Sequence, residues 1–167
     1  MTEQDVVLTE MDTQKNKYLS FQLGSGEYAI PIQYVVEIIG IQHITEVPDV
    51  PQYVKGVINL RGKVIPVVDV RLRFNLKERD YDDRTCIIVV YLDEIQVGLI
   101  VDTVKEVLSI SENQIEPPPE VKKGQANKFI QGLAKVDESV KMIINMNTIL
   151  LDKEMEESLM TREATYS

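Results

Sequence analysis

The chain has 167 residues, 44% hydrophobic and 27% charged, which fits one ordinary globular domain or two small ones sharing a core. Its formal charge of −9 repels phosphate backbones and anionic lipid, and argues against nucleic acid and membrane surfaces as partners. One cysteine excludes an internal disulfide, and one histidine beside it leaves little for a soft-metal centre.

Much of the acidity lies at the ends. Residues 1–16 carry Glu3, Asp5, Glu10 and Asp12 against Lys15, and net −3. Residues 152–167 carry Asp152, Glu154, Glu156, Glu157 and Glu163 against Lys153 and Arg162, again −3. Residues 1–16 hold no apolar run and read as a disordered, solvated tail with no signal peptide. No segment reaches the ~18 apolar residues of a membrane span. The expectation is a cytoplasmic protein without direct membrane insertion.

In chain order, Tyr18–Leu23 alternates with Leu19, Phe21 and Leu23 on one face, Gly24-Ser25-Gly26 breaks it, and Glu27–Ile30 resumes. That predicts a hairpin. A glycine-rich phosphate cradle needs a helix after it and usually a lysine, and neither follows. Gly56–Arg61 and Val64–Val68 flank Gly62-Lys63 as a second hairpin, in which Pro66 suggests an edge or a bulge. Asp69–Phe74 fits a short turn of helix. Thr85–Leu92 and Ile95–Val101 flank Asp93-Glu94 as a third hairpin. Ile130–Val136 and Val140–Ile144 flank Asp137-Glu138-Ser139 as a fourth. A C-terminal helix starts at Asn145 or Asn147 and runs through Ile149-Leu150-Leu151 to Met155, Leu159 and Met160. Residues 156–167 are its end and a tail.

The chain also repeats itself. At an offset of 69, Leu19, Phe21 and Leu23 fall on Ile88, Val90 and Leu92, and Glu37-Ile38-Ile39 on Glu106-Val107-Leu108. At an offset of 76, Gly56-Val57 falls on Gly132-Leu133 and Val67-Val68-Asp69 on Ile143-Ile144-Asn145. The seven extra residues lie in a proline-rich loop, with residues 42–55 answered by the longer 111–131. Two β units of about 70 residues follow, roughly 18–84 and 85–151, each too small to bury much alone. They predict two small pseudo-symmetric barrels packed together, with strands open to exchange and a groove between them.

Catalytic signals are weak. His43 lies in a loop segment, Gln-His-Ile-Thr, and no G-x-S-x-G elbow supports a triad. Cys86 lies in an apolar strand, where it behaves as a small hydrophobe. The acidic run Glu78–Asp83 lacks the spacing and central glycine of a calcium loop. No cofactor fingerprint is found. A protein-binding role is left. Its sharpest cluster is Val57-Ile58-Asn59-Leu60-Arg61-Gly62; an arginine among apolar neighbours needs a carboxylate, for which Glu37 is a candidate, and an ordinary surface arginine is the alternative.

The run VKGVINLRGKVIPVVDVRLRF (54–74) resembles the signature of the CheW-type coupling proteins of bacterial chemotaxis. EYAIPIQYVVEIIG (27–40) and QVGLIVDTVKEVLSI (96–110) match the same family in order, so the resemblance spans 18 to about 155. It implies a mostly-β domain over residues 17–155, made of two five-stranded SH3-like β-barrels around a shared hydrophobic core, with the C-terminal helix. It implies a non-enzymatic adaptor without cofactors. The adaptor would couple the cytoplasmic tip of methyl-accepting chemotaxis receptors to the regulatory domain of the histidine kinase CheA, and its partners would recruit it to membrane arrays. Val35, Glu37, Gly56 and Arg61 match family positions tied to receptor binding or to the shape of that surface; residues of a kinase interface are not assigned. A generic peptide-binding double barrel outside chemotaxis is the alternative.

Overall fold

The computed structural model describes residues 15–118, 128–151 and 155. Most of the expected N-terminal tail and the far end of the C-terminal helix, with Leu159 and Met160, lie outside the described residues. Lys15 and Asn16 belong to the fold: they form a turn, and the Asn16 carbonyl accepts from Ile110 N at 2.8 Å.

The chain is mostly β. Its strands are β1 (Lys17–Leu23), β2 (Gly26–Pro31), β3 (Val35–Gly40), β4 (Val54–Leu60), β5 (Lys63–Asp69), β6 (Cys86–Leu92), β7 (Ile95–Val101), β8 (Thr103–Ser109), β9 (Ile115–Glu116), β10 (Ile130–Val136) and β11 (Ser139–Ile144). A short helix α1 (Val70–Arg73) follows β5, and α2 (Met146–Leu151) follows β11. The four hairpins form where turn chemistry predicts them. The second turns one residue earlier than expected: Leu60 pairs with Lys63, so Arg61-Gly62 is the turn.

One sheet runs β8-β1-β2-β11-β10-β9 and the other β3-β6-β7-β5-β4. The sheets cut across the two sequence repeats. The second sheet is one continuous stretch, β3 to β7. The first takes β1 and β2 from before that stretch and the rest from after it. Each sheet joins its hairpins through one parallel pairing, β2 with β11 and β5 with β7. Pro66 lies on an interior strand, yet the parallel ladder with β7 begins only at Val67↔Gly98, so its missing N–H costs no sheet bond.

Alternation sorts the apolar residues into three cores. Leu19 and Phe21 of β1, Ile88 and Val90 of β6, Phe129, Ile144 and Ile149 fill the seam between the sheets. Ile58, Ile65, Val67, Ile87, Val89 and Ile100 fill the inside of the second sheet. Ala29, Ile110, Ala134 and Ile143 fill the inside of the first. The seam is the largest, as expected of two units that stabilise each other.

The helix starts are symmetric at atomic detail. Asp69 Oδ1 caps α1 by accepting from Leu72 N at 3.3 Å, and Asn145 Oδ1 accepts from Thr148 N at 3.1 Å. Asn145 is thus the N-cap that the sequence left open between two asparagines. Asp69 N donates to Tyr53 O and Asn145 N to Phe129 O, both at 2.7 Å.

Candidate functional site

The β4–β5 hairpin carries the site. Its two-residue turn needs positive φ at both positions. Gly62 meets this at φ 87° without strain, while Arg61 sits at φ 51°. Every other described non-glycine residue with positive φ is Asn, Asp or Glu. Arginine has no local side-chain bond that favours this backbone, so the turn carries strain in order to present a guanidinium.

Arg61 Nη2 donates to Glu37 Oε2 of β3. The arginine side chain is 69% exposed and the glutamate 27%. The hydrogen bond from Arg61 to Glu37, and then the carboxylate's charge, raise the pKa of the guanidinium. β3 and β4 are the two outer strands of their sheet, so this pair ties opposite edges together. The main chain closes the same gap: Thr45 N donates to Val57 O and Val57 N to Thr45 O, both at 2.9 Å.

Gly56 makes that closure possible. It lies at a β-bulge opposite Val67 with φ 148°, and a Cβ there would stand 2.0 Å from the Thr45 carbonyl oxygen. Val35, the first residue of β3, is half-buried and packs against the seam core. Among the four residues singled out in sequence, the structure joins Arg61 to Glu37 directly. Gly56 stands at the bulge that seals the sheet edge, and Val35 points into the seam.

The same sheet exposes apolar residues: Val36 and Ile38 on β3, at 48% and 43%, alternate with Glu37 and so lie on the other face of the strand, and Val64 on β5 is 52% exposed. Two residues hold the site in shape: Thr45, which the sequence did not point to, and Asn59, which it named only as part of the 57–62 cluster. Thr45 supplies the closing backbone. Asn59 Oδ1 accepts from Gly62 N at 2.8 Å, and Gln42 Nε2 donates to the Asn59 carbonyl at 3.4 Å. The signal for Asn59 was available, since an amide two residues before an Arg-Gly turn can cap it.

His43 is exposed, and Cys86 is half-buried with its Sγ 3.2 Å from the Arg84 carbonyl. Among the described residues, no three His, Cys, Asp or Glu side chains group as metal ligands, and no helix is long and apolar enough to cross a membrane.

A second polar cluster lies where the chain passes from β7 to β8. Asp102 accepts from Arg71 Nε at 2.7 Å, Gly24 N at 2.7 Å and Arg79 Nη1 at 3.1 Å. Burial pushes the Asp102 pKa up, but the bonds from Arg71 and Gly24 and the nearby cations outweigh it and hold the carboxyl below its ordinary value. Beside it, Tyr81 donates to Asp69 Oδ2 at 2.7 Å, and burial, then that bond, push its hydroxyl pKa up.

A family model of the CheW-like domain matches residues 17–154, all of the sheets described above. The chain belongs to the CheW-like domain family. It is 38% identical over 148 residues to the chemotaxis protein CheW of Bacillus subtilis, covering 89% of this chain and 94% of that protein. It is 35% identical over 144 residues to the CheW of Klebsiella aerogenes, covering 86% and 87%. Among solved structures, the scaffolding protein TtCheW of Thermoanaerobacter tengcongensis matches with a TM-score of 0.76 and 37% identity, over 83% of this chain and 94% of that one. The mostly-β expectation and the CheW resemblance both hold.

Proposed function

We propose that this chain is a non-enzymatic adaptor of bacterial chemotaxis. It joins the cytoplasmic tip of methyl-accepting receptors to the regulatory domain of the histidine kinase CheA, so that receptor state shifts the kinase between active and inactive populations. It works in the cytoplasm and reaches membrane arrays through its partners. The observation that carries the reading of the site is the exposed Arg61, held in a strained turn by Glu37, in a chain of the CheW-like family. An outward guanidinium suits recognition of a helical partner with acidic side chains. Gly56 and Val35 act indirectly, by shaping the strand edges that hold the pair.

The test is reconstitution. Kinase autophosphorylation is measured with receptor fragments, with and without this protein; the expected result is receptor-dependent control only when it is present. Arg61→Ala should keep its circular dichroism and thermal transition, keep CheA binding, and lose receptor-fragment binding about tenfold or more. Glu37→Gln, tested alongside, should weaken receptor binding in the same direction. A folded Arg61→Ala protein that binds receptor normally would refute the assignment of the site.

A further inference from the structure

We infer that Asn59 is a positioning residue for receptor recognition: its side-chain amide oxygen holds the Arg61-Gly62 turn in the geometry that presents Arg61. The inference rests on the receptor-facing reading of Arg61 and adds a residue to it.

Three observations carry it. First, Asn59 Oδ1 accepts from Gly62 N at 2.8 Å, and Gln42 Nε2 donates to the Asn59 carbonyl at 3.4 Å. Asn59 therefore links the turn to the segment that leaves β3, the strand of Glu37. Second, Arg61 at φ 51° has no backbone preference for this turn, so the turn needs an external hold. Third, the fold itself does not require the amide. The repeat places Lys135 where Asn59 stands, since Lys135 pairs with Val140 as Asn59 pairs with Val64. That hairpin closes over Asp137 at φ 55°, a residue that tolerates the conformation, and Ser139 Oγ donates to the Val136 carbonyl at 3.0 Å instead. At the β6–β7 turn, Asp93 at φ 53° follows Tyr91 in the same way. Among the four described hairpins, an asparagine oxygen binds the turn where arginine takes the strained position.

Asn59 is exposed, so losing its amide opens no cavity. Its loss frees the turn to relax and lets the guanidinium wander, which is an entropic cost at binding.

The experiment is a double-mutant cycle on the full chain, with receptor cytoplasmic-tip fragment binding as one readout and CheA regulatory-domain binding as the other. Asn59→Ala should lose about five- to tenfold in receptor affinity, keep CheA affinity, and melt within a few degrees of wild type. Asn59→Asp, which retains the acceptor, should stay within about twofold. In the Arg61→Ala background, Asn59→Ala should cost nothing further, because there is no guanidinium left to position. An equal loss in both backgrounds, or no loss in either, would overturn the role of Asn59 while leaving Arg61 in place. If Arg61→Ala alone binds receptor normally, the site reading falls and the inference with it.

Discussion

Replacing Gly56 by alanine tests how the second sheet is sealed. The new Cβ would stand 2.0 Å from the Thr45 oxygen, 2.7 Å from its carbonyl carbon and 3.0 Å from Ile44 Cγ2. Two of these are backbone atoms that cannot rotate away. Relief requires the chain at Thr45 to withdraw, which breaks both 2.9 Å bonds with Val57. Each such bond contributes about 0.5–1.5 kcal/mol, and an alanine at φ 148° adds strain of about 1–3 kcal/mol. The expected loss is about 4 kcal/mol, or roughly 8–16 °C in Tm for a chain of this size. Two other glycines calibrate the result. Gly62 has φ 87° but open space within 4 Å, so Gly62→Ala should cost only about 1 kcal/mol, the backbone share alone. Gly40 has open space and no positive φ, so Gly40→Ala should be neutral or stabilise by up to ~1 kcal/mol. Urea and thermal unfolding of the three variants, followed by circular dichroism, give the order directly. A Gly56→Ala protein that melts no lower than Gly62→Ala would refute the closure argument.

Two further outcomes are expected. The Asp102 carboxyl sits below its unfolded pKa, so its stabilisation is complete above about pH 4 and is lost as pH falls through the folded value. Asp102→Asn should therefore cost about 2–3 kcal/mol in urea unfolding at pH 7, with the gap to wild type closing as pH falls through the folded value. Arg73 is 4% exposed, lies 4.5 Å from the ring centroids of both Tyr53 and Phe129, and donates to the carbonyls of Thr148 and Ile149. Lysine keeps the charge but neither the plane nor the fork, so Arg73→Lys should lower stability by about 2 kcal/mol in the same assay.

The hairpins were legible because their turns carry Gly, Asp or Glu between β-branched runs. The repeat was legible because apolar positions, glycines and caps recur at fixed offsets. Strands β3 and β8 were not assigned from sequence. Val35–Gly40 places apolar residues on both faces, and neither end carries a tight-turn signal, so period two is masked. Residues 103–109 have the same defect, with Val107 55% exposed. Strand exchange between the sheets was beyond sequence as well, since both arrangements bury the same alternating faces. At the site, Arg61 and Glu37 emerged from the need of an arginine among apolar residues for a carboxylate. Thr45 did not, because it acts through its backbone, and Asn59 emerged only as a member of the cluster, without a role, because it acts through one oxygen. Asp102 was hidden because its partners come from three separate segments.

The uninterrupted run from β3 to β7 has a consequence for biogenesis. As the ribosome extrudes the polypeptide, the second sheet can assemble once Val101 has emerged from the exit tunnel. The N-terminal hairpin, made earlier, must wait for β8 and β11 before its own edges are covered. Until then, Leu19 and Phe21 lack the part of the seam that Ile144, Ile149 and Leu150 supply. That nascent interval is when a chaperone or a neighbouring copy has its best opportunity to engage the chain.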